Sequence, residues 1–191
     1  MKTGIKALIA GIATLCLTGA FTVGCIRINR KYPPPVVEKA TVGESLVLRG
    51  VEISAEKFEL LTPDQVDELA TGYLESAMAS MPSLKREEYR LLLVTIHMKN
   101  VSDETQRTET PTFSAESRAW TNGVNFDLYM FLNKEEDART ELEPGEEATI
   151  VLPYDVMKMH FWEKDWEQID ERSFEVVVNL YPTLQKLTMD K

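Results

Sequence analysis

The chain has 191 residues, with 21 basic against 31 acidic side chains and a formal net charge of −10. A chain this acidic, with no stripe of basic residues, is expected to repel nucleic acid and anionic lipid, which excludes nucleic acid as a partner. Both cysteines, Cys16 and Cys25, lie in the apolar N-terminal segment, so the remainder has no disulfide, thiolate nucleophile or cysteine metal ligand.

The first 26 residues have the layout of a signal peptide or a membrane anchor. Lys2 and Lys6 precede an uncharged, mostly apolar run over residues 7–26, and the first acidic residue is Glu38. When those two lysines are set aside, 19 basic and 31 acidic residues remain, a net charge of −12 for the exported part. We expect that part to work at the extracytoplasmic face of the cell membrane, held there by a lipid or a helix.

Three interpretations of this segment stay open. In the first, Thr22-Val23-Gly24-Cys25 resembles a bacterial lipobox and the Cys25 thiol carries lipid after cleavage, although lipoproteins usually have leucine in place of Thr22. In the second, the run is an uncleaved helix, because twenty residues rising about 1.5 Å each cover roughly 30 Å of hydrocarbon. In the third, the segment is cleaved and the protein released, but no good A-x-A site is present.

Residues 27–41 are predicted to form a basic and proline-rich extended spacer. Three basic residues within Arg27–Lys31 are followed by Tyr32-Pro33-Pro34-Pro35. Consecutive prolines favour the polyproline II conformation, which would hold a folded domain at residues 42–191 away from the bilayer.

The domain opens with a predicted strand and a predicted helix. Residues 44–54 alternate in polarity, and the change of parity at Gly50 predicts a β-bulge. Thr62-Pro63-Asp64-Gln65 is typical of a capping box with proline in the first turn. An apolar stripe at helical spacing then predicts one helix from Pro63 to Ser80, with Gly72 facing away from the stripe.

Strand signals dominate the next part of the chain. The clearest covers residues 90–100, where the outer face is expected to carry His97 and the core face Leu92, Val94, Ile96 and Met98. Residues 110–120 predict a strand, Thr121-Asn122-Gly123 a hairpin turn, and residues 125–132 another strand.

The C-terminal part mixes all three kinds of structure. Residues 134–143 are charged and predicted to be exposed, Pro144-Gly145 marks a turn, and residues 148–152 predict a strand. The spacing of Trp162, Trp166 and Ile169 predicts a short helix within residues 155–172. A last strand is predicted over residues 173–181, ended by Pro182.

These elements amount to six or seven short strands with two helical insertions. Because strands and helices do not alternate regularly, a parallel α/β sheet is not expected. The predicted fold is mostly β, an antiparallel immunoglobulin-like β-sandwich with one or two helical insertions, preceded by an N-terminal hydrophobic helix.

Three stretches carry a family resemblance: residues 93–102 (LVTIHMKNVS), residues 142–146 (LEPGE) and residues 174–182 (FEVVVNLYP). Together they resemble a group of uncharacterised, membrane-anchored immunoglobulin-like (telokin-like) domains of Gram-positive bacteria. In that group, a strand ending in Lys-Asn-x-Ser precedes a Leu-x-Pro-Gly turn into a late strand. The resemblance covers about residues 42–187 and implies a β-sandwich at the cell surface, with no functional residues. The helix predicted at 63–80 departs from the plainest members.

Residues that usually carry chemistry are sparse. With His97 and His160 as the only histidines, a metal site would need both plus distant carboxylates, so neither metal nor cofactor is predicted. The chain has no Gly-x-Ser-x-Gly motif and no glycine-rich phosphate loop. The acidic runs Asp103-Glu104, Glu135-Glu136-Asp137 and Glu146-Glu147 lack the spacing of calcium loops, and solvated loop tips explain them more simply.

The tryptophans are the remaining candidates for a binding face: Trp120 beside a turn, with Trp162 and Trp166 further on. The helical spacing of the last two is more typical of residues that cover a core. We therefore predict a non-enzymatic binding module at the cell envelope, whose partner is another envelope protein, a peptide or a wall polymer. The alternative is a carboxylate-based hydrolase of cell-envelope glycans, which needs two carboxylates roughly 5–10 Å apart in a cleft, one with a raised pKa.

Overall fold

The structure is a computed structural model that describes residues 2–133 and 140–189. It divides into two compact units, Met1–Val36 and Val37–Lys191. The first unit contains helix α1 (Lys2–Lys31). Within the described residues, Gly11–Lys31 is long and apolar enough to cross a membrane, a property that it shares with signal sequences near an N-terminus.

Helix α1 extends past the predicted anchor and shortens the predicted spacer. Arg27–Lys31 belong to the helix, the chain is irregular only over residues 32–35, and strand β1 (Val36–Thr41) follows directly. Proline removes a backbone donor and disfavours a helical conformation in the residue before it. The helix therefore ends only where the prolines begin, and the β-rich part starts before residue 42.

The β-rich part contains, among its described residues, eleven strands and four short α-helices. After β1, the strands are β2 (Ser45–Leu48), β3 (Val51–Leu61), β4 (Tyr89–Asn100), β5 (Gln106–Thr108), β6 (Ser114–Ser117), β7 (Trp120–Gly123), β8 (Thr140–Leu142), β9 (Glu147–Met157), β10 (Glu175–Asn179) and β11 (Thr183–Thr188). The helices are α2 (Pro63–Leu69), α3 (Tyr73–Ser80), α4 (Phe126–Leu132) and α5 (Glu163–Trp166).

Two sheets pack around one core. Their strand orders are β1-β11-β10-β6-β7 and β2-β3-β4-β9, and β5 and β8 form a separate pair. Fully buried side chains from both sheets belong to the same apolar cluster, including Ile53, Ile96 and Ile150 from one sheet and Ala115 and Val176 from the other. The prediction of a mostly-β sandwich with helical insertions behind an N-terminal helix is confirmed.

Strand β4 is central to two cores. It pairs with β3 on one side and with β9 on the other, antiparallel in both cases. Its even-numbered residues Leu92, Val94, Ile96 and Met98 are fully buried in the sandwich, as predicted. The opposite face is also covered at its start, where a second apolar cluster brings α2, α3 and α4 onto the strand through Val66, Leu74, Leu84, Tyr89, Leu91, Leu93 and Leu128.

The bulge predicted at Gly50 is wrong. The structure has a two-residue hairpin turn instead, with φ of 50° at Arg49 and 82° at Gly50. Directly opposed residues of a hairpin lie on the same face. Because Leu46 opposes Ile53 across this hairpin, both reach the core without any bulge.

The single helix predicted over residues 63–80 is divided at Ala70–Gly72. The capping box at its start is confirmed, since Gln65 Oε1 accepts from the Thr62 backbone N–H at 2.8 Å. Gly72 takes a left-handed φ of 79°, which glycine reaches without a Cβ penalty, so the chain leaves the first helix and begins a second. The glycine therefore separates α2 from α3.

The segment 110–132 differs from its prediction in two places. The hairpin turn lies at residues 118–119, between β6 and β7, because Ser117 opposes Trp120. Residues 126–132 form helix α4, and the Asn125 side chain caps it by accepting from the Leu128 N–H at 3.1 Å. This segment is apolar at nearly every position, so its pattern fits the period of a strand and that of a helix equally well. The N-cap at Asn125 favours the helix.

The C-terminal part adds a strand beyond the predicted end. Strand β9 covers residues 147–157 rather than 148–152, and β11 follows Pro182 and pairs with β10. Sequence reasoning also missed β1, β5 and β8, each of six residues or fewer. Of the charged segment predicted to be exposed, residues 134–139 lie outside the described residues.

Candidate functional site

Trp120, the first predicted binding residue, lies in the sandwich core. Only 6% of it is exposed. Its ring stacks on Phe161 and meets Phe174 edge-on, with centroid distances of 5.7 Å in both cases. Its indole N–H is buried and makes no hydrogen bond within the described part of the chain. Trp120 is therefore a packing residue.

Trp166 and Phe161 continue this aromatic cluster towards the surface. Their centroids are 6.0 Å apart, the Arg90 guanidinium lies 5.7 Å from the Trp166 ring centre, and the Arg172 guanidinium lies 5.0 Å from that of Phe161. Burial, with repulsion from Arg118, lowers the pKa of Arg172. The two arginines hold the rings by cation–π contacts, so Trp166 is also mainly a packing residue.

Trp162 is the predicted tryptophan that faces solvent. It is 78% exposed, and the nearby Met159 is 68% exposed. The expectation that this spacing covers a core is correct for Ile169, which is buried, and wrong for Trp162. Helix α5 has a single turn and begins after Trp162, so the spacing does not continue as one helical face.

The two histidines lie in separate segments, His97 in β4 and His160 after β9. His97 is on the outer face of β4, with Nε2 3.4 Å from Glu147, and His160 is exposed. The described residues contain no group of three or more His, Cys, Asp or Glu side chains that could hold a metal ion. Asp103-Glu104 is exposed in a loop, Glu146-Glu147 is exposed at the start of β9, and Glu135-Glu136-Asp137 lies outside the described residues.

A cluster of hydrogen-bonded polar side chains lies where β4, β9, α3 and α4 meet. Asp155 of β9 is its centre: Oδ1 accepts from the Tyr89 hydroxyl at 2.6 Å and from the Tyr73 hydroxyl at 3.3 Å. Oδ2 accepts from Asn125 Nδ2 at 2.7 Å, and the same Nδ2 donates to the Tyr73 hydroxyl at 2.5 Å. We call these four residues the Asp155 network.

Both tyrosines of the network remain protonated donors. Burial, together with the negative charge of Asp155, raises the pKa of Tyr73 to about 12. The same two causes raise the pKa of Tyr89 far above its usual range. At neutral pH each hydroxyl therefore keeps its proton and donates a hydrogen bond to the carboxylate.

Asn125 connects the network to helix α4. Its side-chain Oδ1 accepts from the Leu128 backbone N–H, and its backbone N–H donates to the Pro153 carbonyl of β9 at 2.8 Å. Because Tyr73 is the first residue of α3, the same amide side chain fixes the starts of α3 and α4 relative to the sheet. The network thereby links the starts of the two helices to each other and to β9.

An open groove of about 330 Å³ lies between these helices. Its lining residues are Ala70, Thr71, Gly72, Tyr73 and Ser76 on one side and Asp127, Leu128 and Phe131 on the other. Pockets of roughly 300 Å³ or more can hold small ligands or side chains of a partner. We call this feature the α3–α4 groove.

Large apolar side chains are exposed on the helices around the groove. Phe126 is 51% exposed, and Phe131, Met130 and Leu69 are between 36% and 46% exposed. Phe126 stacks on Tyr129 at a centroid distance of 6.3 Å, so its ring is supported from below. Of these four side chains, Phe131 lines the groove. Exposed apolar side chains on well-packed helices are common at interaction surfaces.

Sequence reasoning did not find this site. Its residues come from four separate segments, and one wall was predicted to be a strand. The available signals were Asn125, a good N-cap residue before an apolar run, and Gly72, which could end a helix.

The predicted lipid-attachment residue, Cys25, lies within helix α1. Its place in an apolar helix fits both a signal segment and an uncleaved span. Lipid attachment and the face of the membrane remain predictions.

Three solved structures are similar to this chain. An uncharacterised beta-sandwich protein from Clostridium difficile 630 is 10% identical, with 82% of this chain and 96% of that chain covered and a TM-score of 0.44. A conserved hypothetical protein from Bacillus anthracis is 14% identical, covering 73% and 89%, with a TM-score of 0.44. The yjhA protein from Bacillus subtilis is 12% identical, covering 78% and 99%, with a TM-score of 0.45. No curated protein matches the chain.

A family model agrees with the extent of the β-rich part. The model described as "Domain of unknown function (DUF5028)" matches residues 39–185, from within β1 to within β11. The predicted resemblance is confirmed for a β-sandwich domain, while the telokin-like relationship remains a prediction. The match covers most of the sequence, and the chain therefore belongs to the DUF5028 family.

Proposed function

We propose that this protein is a membrane-tethered binding module whose α3–α4 groove receives apolar side chains of a partner. The observation that carries the proposal is the combination of a groove of about 330 Å³ with exposed apolar side chains on its helices. Apolar anchors that enter such grooves commonly supply most of the binding energy of an interface.

Preorganisation of the groove supports a binding role. Tyr73 lies in one wall and its hydroxyl is held by Asn125 and Asp155, while Asn125 also caps the helix of the other wall. A partner would meet walls that already have their bound positions, so little conformational entropy would be lost on binding. Such support is expected for a site selected to bind a partner.

The tether is supported by helix α1. Its apolar stretch has the length and composition needed to cross a bilayer. In our proposal the β-rich part lies on the extracytoplasmic face, where another envelope protein, a peptide or a wall polymer is the partner.

The hydrolase alternative receives no comparable support from the charges. A glycosidase needs a carboxyl group with a raised pKa as its general acid. Glu44 and Glu147 have lowered pKa values because of hydrogen bonds from Thr41 and Lys99 respectively. Burial opposes ionisation of Glu175, but hydrogen bonds from Lys39 and Lys186 outweigh it and lower its pKa.

Site-directed photo-crosslinking on intact cells tests the proposal. A photoreactive residue replaces Met130, an exposed residue of α4, the helix that forms one wall of the groove, and the matched control replaces Val47, an exposed residue of β2. We expect one partner to be crosslinked from position 130 and not from position 47. The purified partner should then bind the full chain, and Met130→Ser should weaken binding about tenfold, as loss of one buried apolar anchor predicts. Equal crosslinking from both positions, or none from position 130, would refute it.

A further inference from the structure

We propose that the occupant of the α3–α4 groove is a cationic amphipathic segment of a partner protein. The inference rests on the proposed binding function and adds the chemistry of the partner. It rests on two observations. Phe131 lines the groove and further exposed apolar side chains lie on α2 and α4, and the helices α2, α3 and α4 also carry acidic residues.

The apolar component favours a helical segment. Phe126 and Met130 lie one turn apart on α4, and Leu69 is exposed at the end of α2. An amphipathic helix that presents apolar residues at i, i+3, i+4 and i+7 can place successive side chains along such a surface. The groove itself has room for one or two of them.

The charge of these helices is of one sign. Residues 63–80 and 126–132 contain five acidic residues and no lysine, arginine or histidine. Arg86 forms ion pairs with two of the acids, Asp64 and Asp67, at 2.6 Å each. The other three are Glu68, Glu75 and Asp127, and no basic side chain among residues 2–133 and 140–189 forms an ion pair with them.

One of these acids is part of the groove. Asp127 lines it directly, and Glu75 lies one residue before the lining residue Ser76. Charged residues at the edge of an apolar interface mainly set which partner is attracted and how fast it associates. Asp127 forms no ion pair with a basic residue among those that the structure describes, and its carboxylate therefore favours a partner with lysine or arginine beside its apolar residues.

The other exposed aromatic surface does not share this charge pattern. Around Trp162, Lys158 pairs with Glu163 at 2.9 Å, and Arg118 lies 3.7 Å from Asp165. Charges of both signs there compensate each other. The surface around Trp162 therefore provides a matched control for apolar exposure without excess negative charge.

Fluorescence anisotropy with designed peptides tests the inference. The probe is a labelled helical peptide of about sixteen residues made of leucine and lysine, and the matched peptide has glutamate in place of lysine. The full chain is placed in nanodiscs of neutral phosphatidylcholine, and binding to empty nanodiscs is subtracted. We expect the lysine peptide to bind at least about tenfold more tightly than the glutamate peptide, with an affinity that falls as salt is raised.

Three variants separate the groove from non-specific attraction. Phe131→Ser, which alters an exposed apolar lining residue of the groove, combined with Met130→Ser should weaken binding of the lysine peptide by about tenfold or more. Asp127→Lys should weaken it several-fold and reduce the salt dependence, because it removes a carboxylate from the groove and adds a cation. Trp162→Ser should leave binding unchanged. All four altered residues are exposed, so thermal unfolding curves should match those of the unaltered chain.

The outcomes distinguish the inference from the proposed function. The proposal of a cationic partner is overturned if the glutamate peptide binds as tightly as the lysine peptide or more tightly. It is also overturned if Trp162→Ser loses as much binding as the double variant in α4. If a neutral glycan or a neutral peptide binds the groove and the lysine peptide does not, the inference fails while the binding function stands. If no probe binds and position 130 gives no crosslinked partner, both fail.

Discussion

The Tyr89 hydroxyl donates to the Asp155 carboxylate over 2.6 Å, between neighbouring strands β4 and β9. In Asp155→Ala, the hydroxyls of Tyr89 and Tyr73 and the Asn125 side-chain amide each lose an acceptor in a partly buried site. We expect the free energy of unfolding to fall by about 2–4 kcal/mol, against about 1 kcal/mol for Tyr89→Phe, which removes one donor. Urea unfolding of residues 37–191 measures both. Equal losses in the two variants would contradict a network centred on Asp155.

Tyr73 predicts a loss of stability at alkaline pH. Its pKa is about 12 in the folded protein and about 10 in an unfolded chain, so the unfolded state loses the proton first. The resulting stabilisation is complete below about pH 10 and is lost as pH rises towards 12. In urea unfolding between pH 8 and pH 12, stability should fall less steeply for Tyr73→Phe than for the unaltered chain. Tyr181→Phe, at an exposed tyrosine outside the network, should keep the original slope.

Gly50 lies against Ser102, and this contact predicts that alanine is less well tolerated at position 50 than at position 43. A Cβ at position 50 would lie 2.9 Å from the Ser102 Cβ, whereas one at position 43 would meet open space. Both glycines have a left-handed φ, which costs an alanine about 1–2 kcal/mol. Gly43→Ala should show that cost alone, and Gly50→Ala should cost about 1–2 kcal/mol more because Ser102 must move. Equal unfolding free energies would show that Ser102 adjusts without penalty.

Because Trp120 is buried and Trp162 is exposed, substitution by alanine is expected to cost much more stability at position 120 than at position 162. Trp120→Ala should lower the free energy of unfolding by about 3–5 kcal/mol, because it opens a cavity beside Phe161 and Phe174. Trp162→Ala should change it by less than about 0.5 kcal/mol. Thermal and urea unfolding of both variants check this. A large loss in Trp162→Ala would mean that its ring packs in solution.

The fate of Cys25 can be read from the mass of the mature protein. In a bacterial host that processes lipoproteins, we expect the chain to begin at Cys25 with the added mass of a diacylglyceryl group, and Cys25→Ser to lack that mass. An intact N-terminus would instead identify an uncleaved helix. In both cases the protein should sediment with membranes, and deletion of Lys2–Lys31 should release it. Recovery of the full chain in the cytosolic fraction would contradict a membrane tether.

The sequence alone was sufficient to predict an element where its apolar residues followed a single clear periodicity or a local motif. In β4, the four residues of the sandwich core recur at every second position over residues 92–98, so both the strand and its face towards this core could be predicted from the sequence. The capping box at Thr62 likewise needs only neighbours along the chain. These elements are determined by interactions within a few residues.

The other features depend on contacts between distant segments, or occur where the sequence pattern fits a helix and a strand equally well. Residues 126–132 are too uniformly apolar for periodicity to select a helix, and the Asn125 cap and the packing of Leu128 decide. The Asp155 network joins residues up to 82 positions apart, between Tyr73 and Asp155. Nothing in the spacing of these four residues indicates that they meet, so the groove they support could not be predicted.

Strand β4 has consequences for how members of this fold can diverge. Along Leu91–Val94 every side chain is buried, and both backbone edges are occupied by β3 and β9. This segment has no free face on which a new specificity could evolve without loss of the fold. Substitutions that change recognition and keep the fold are therefore expected outside this segment, for example in the short helices and turns that lie outside the sheets.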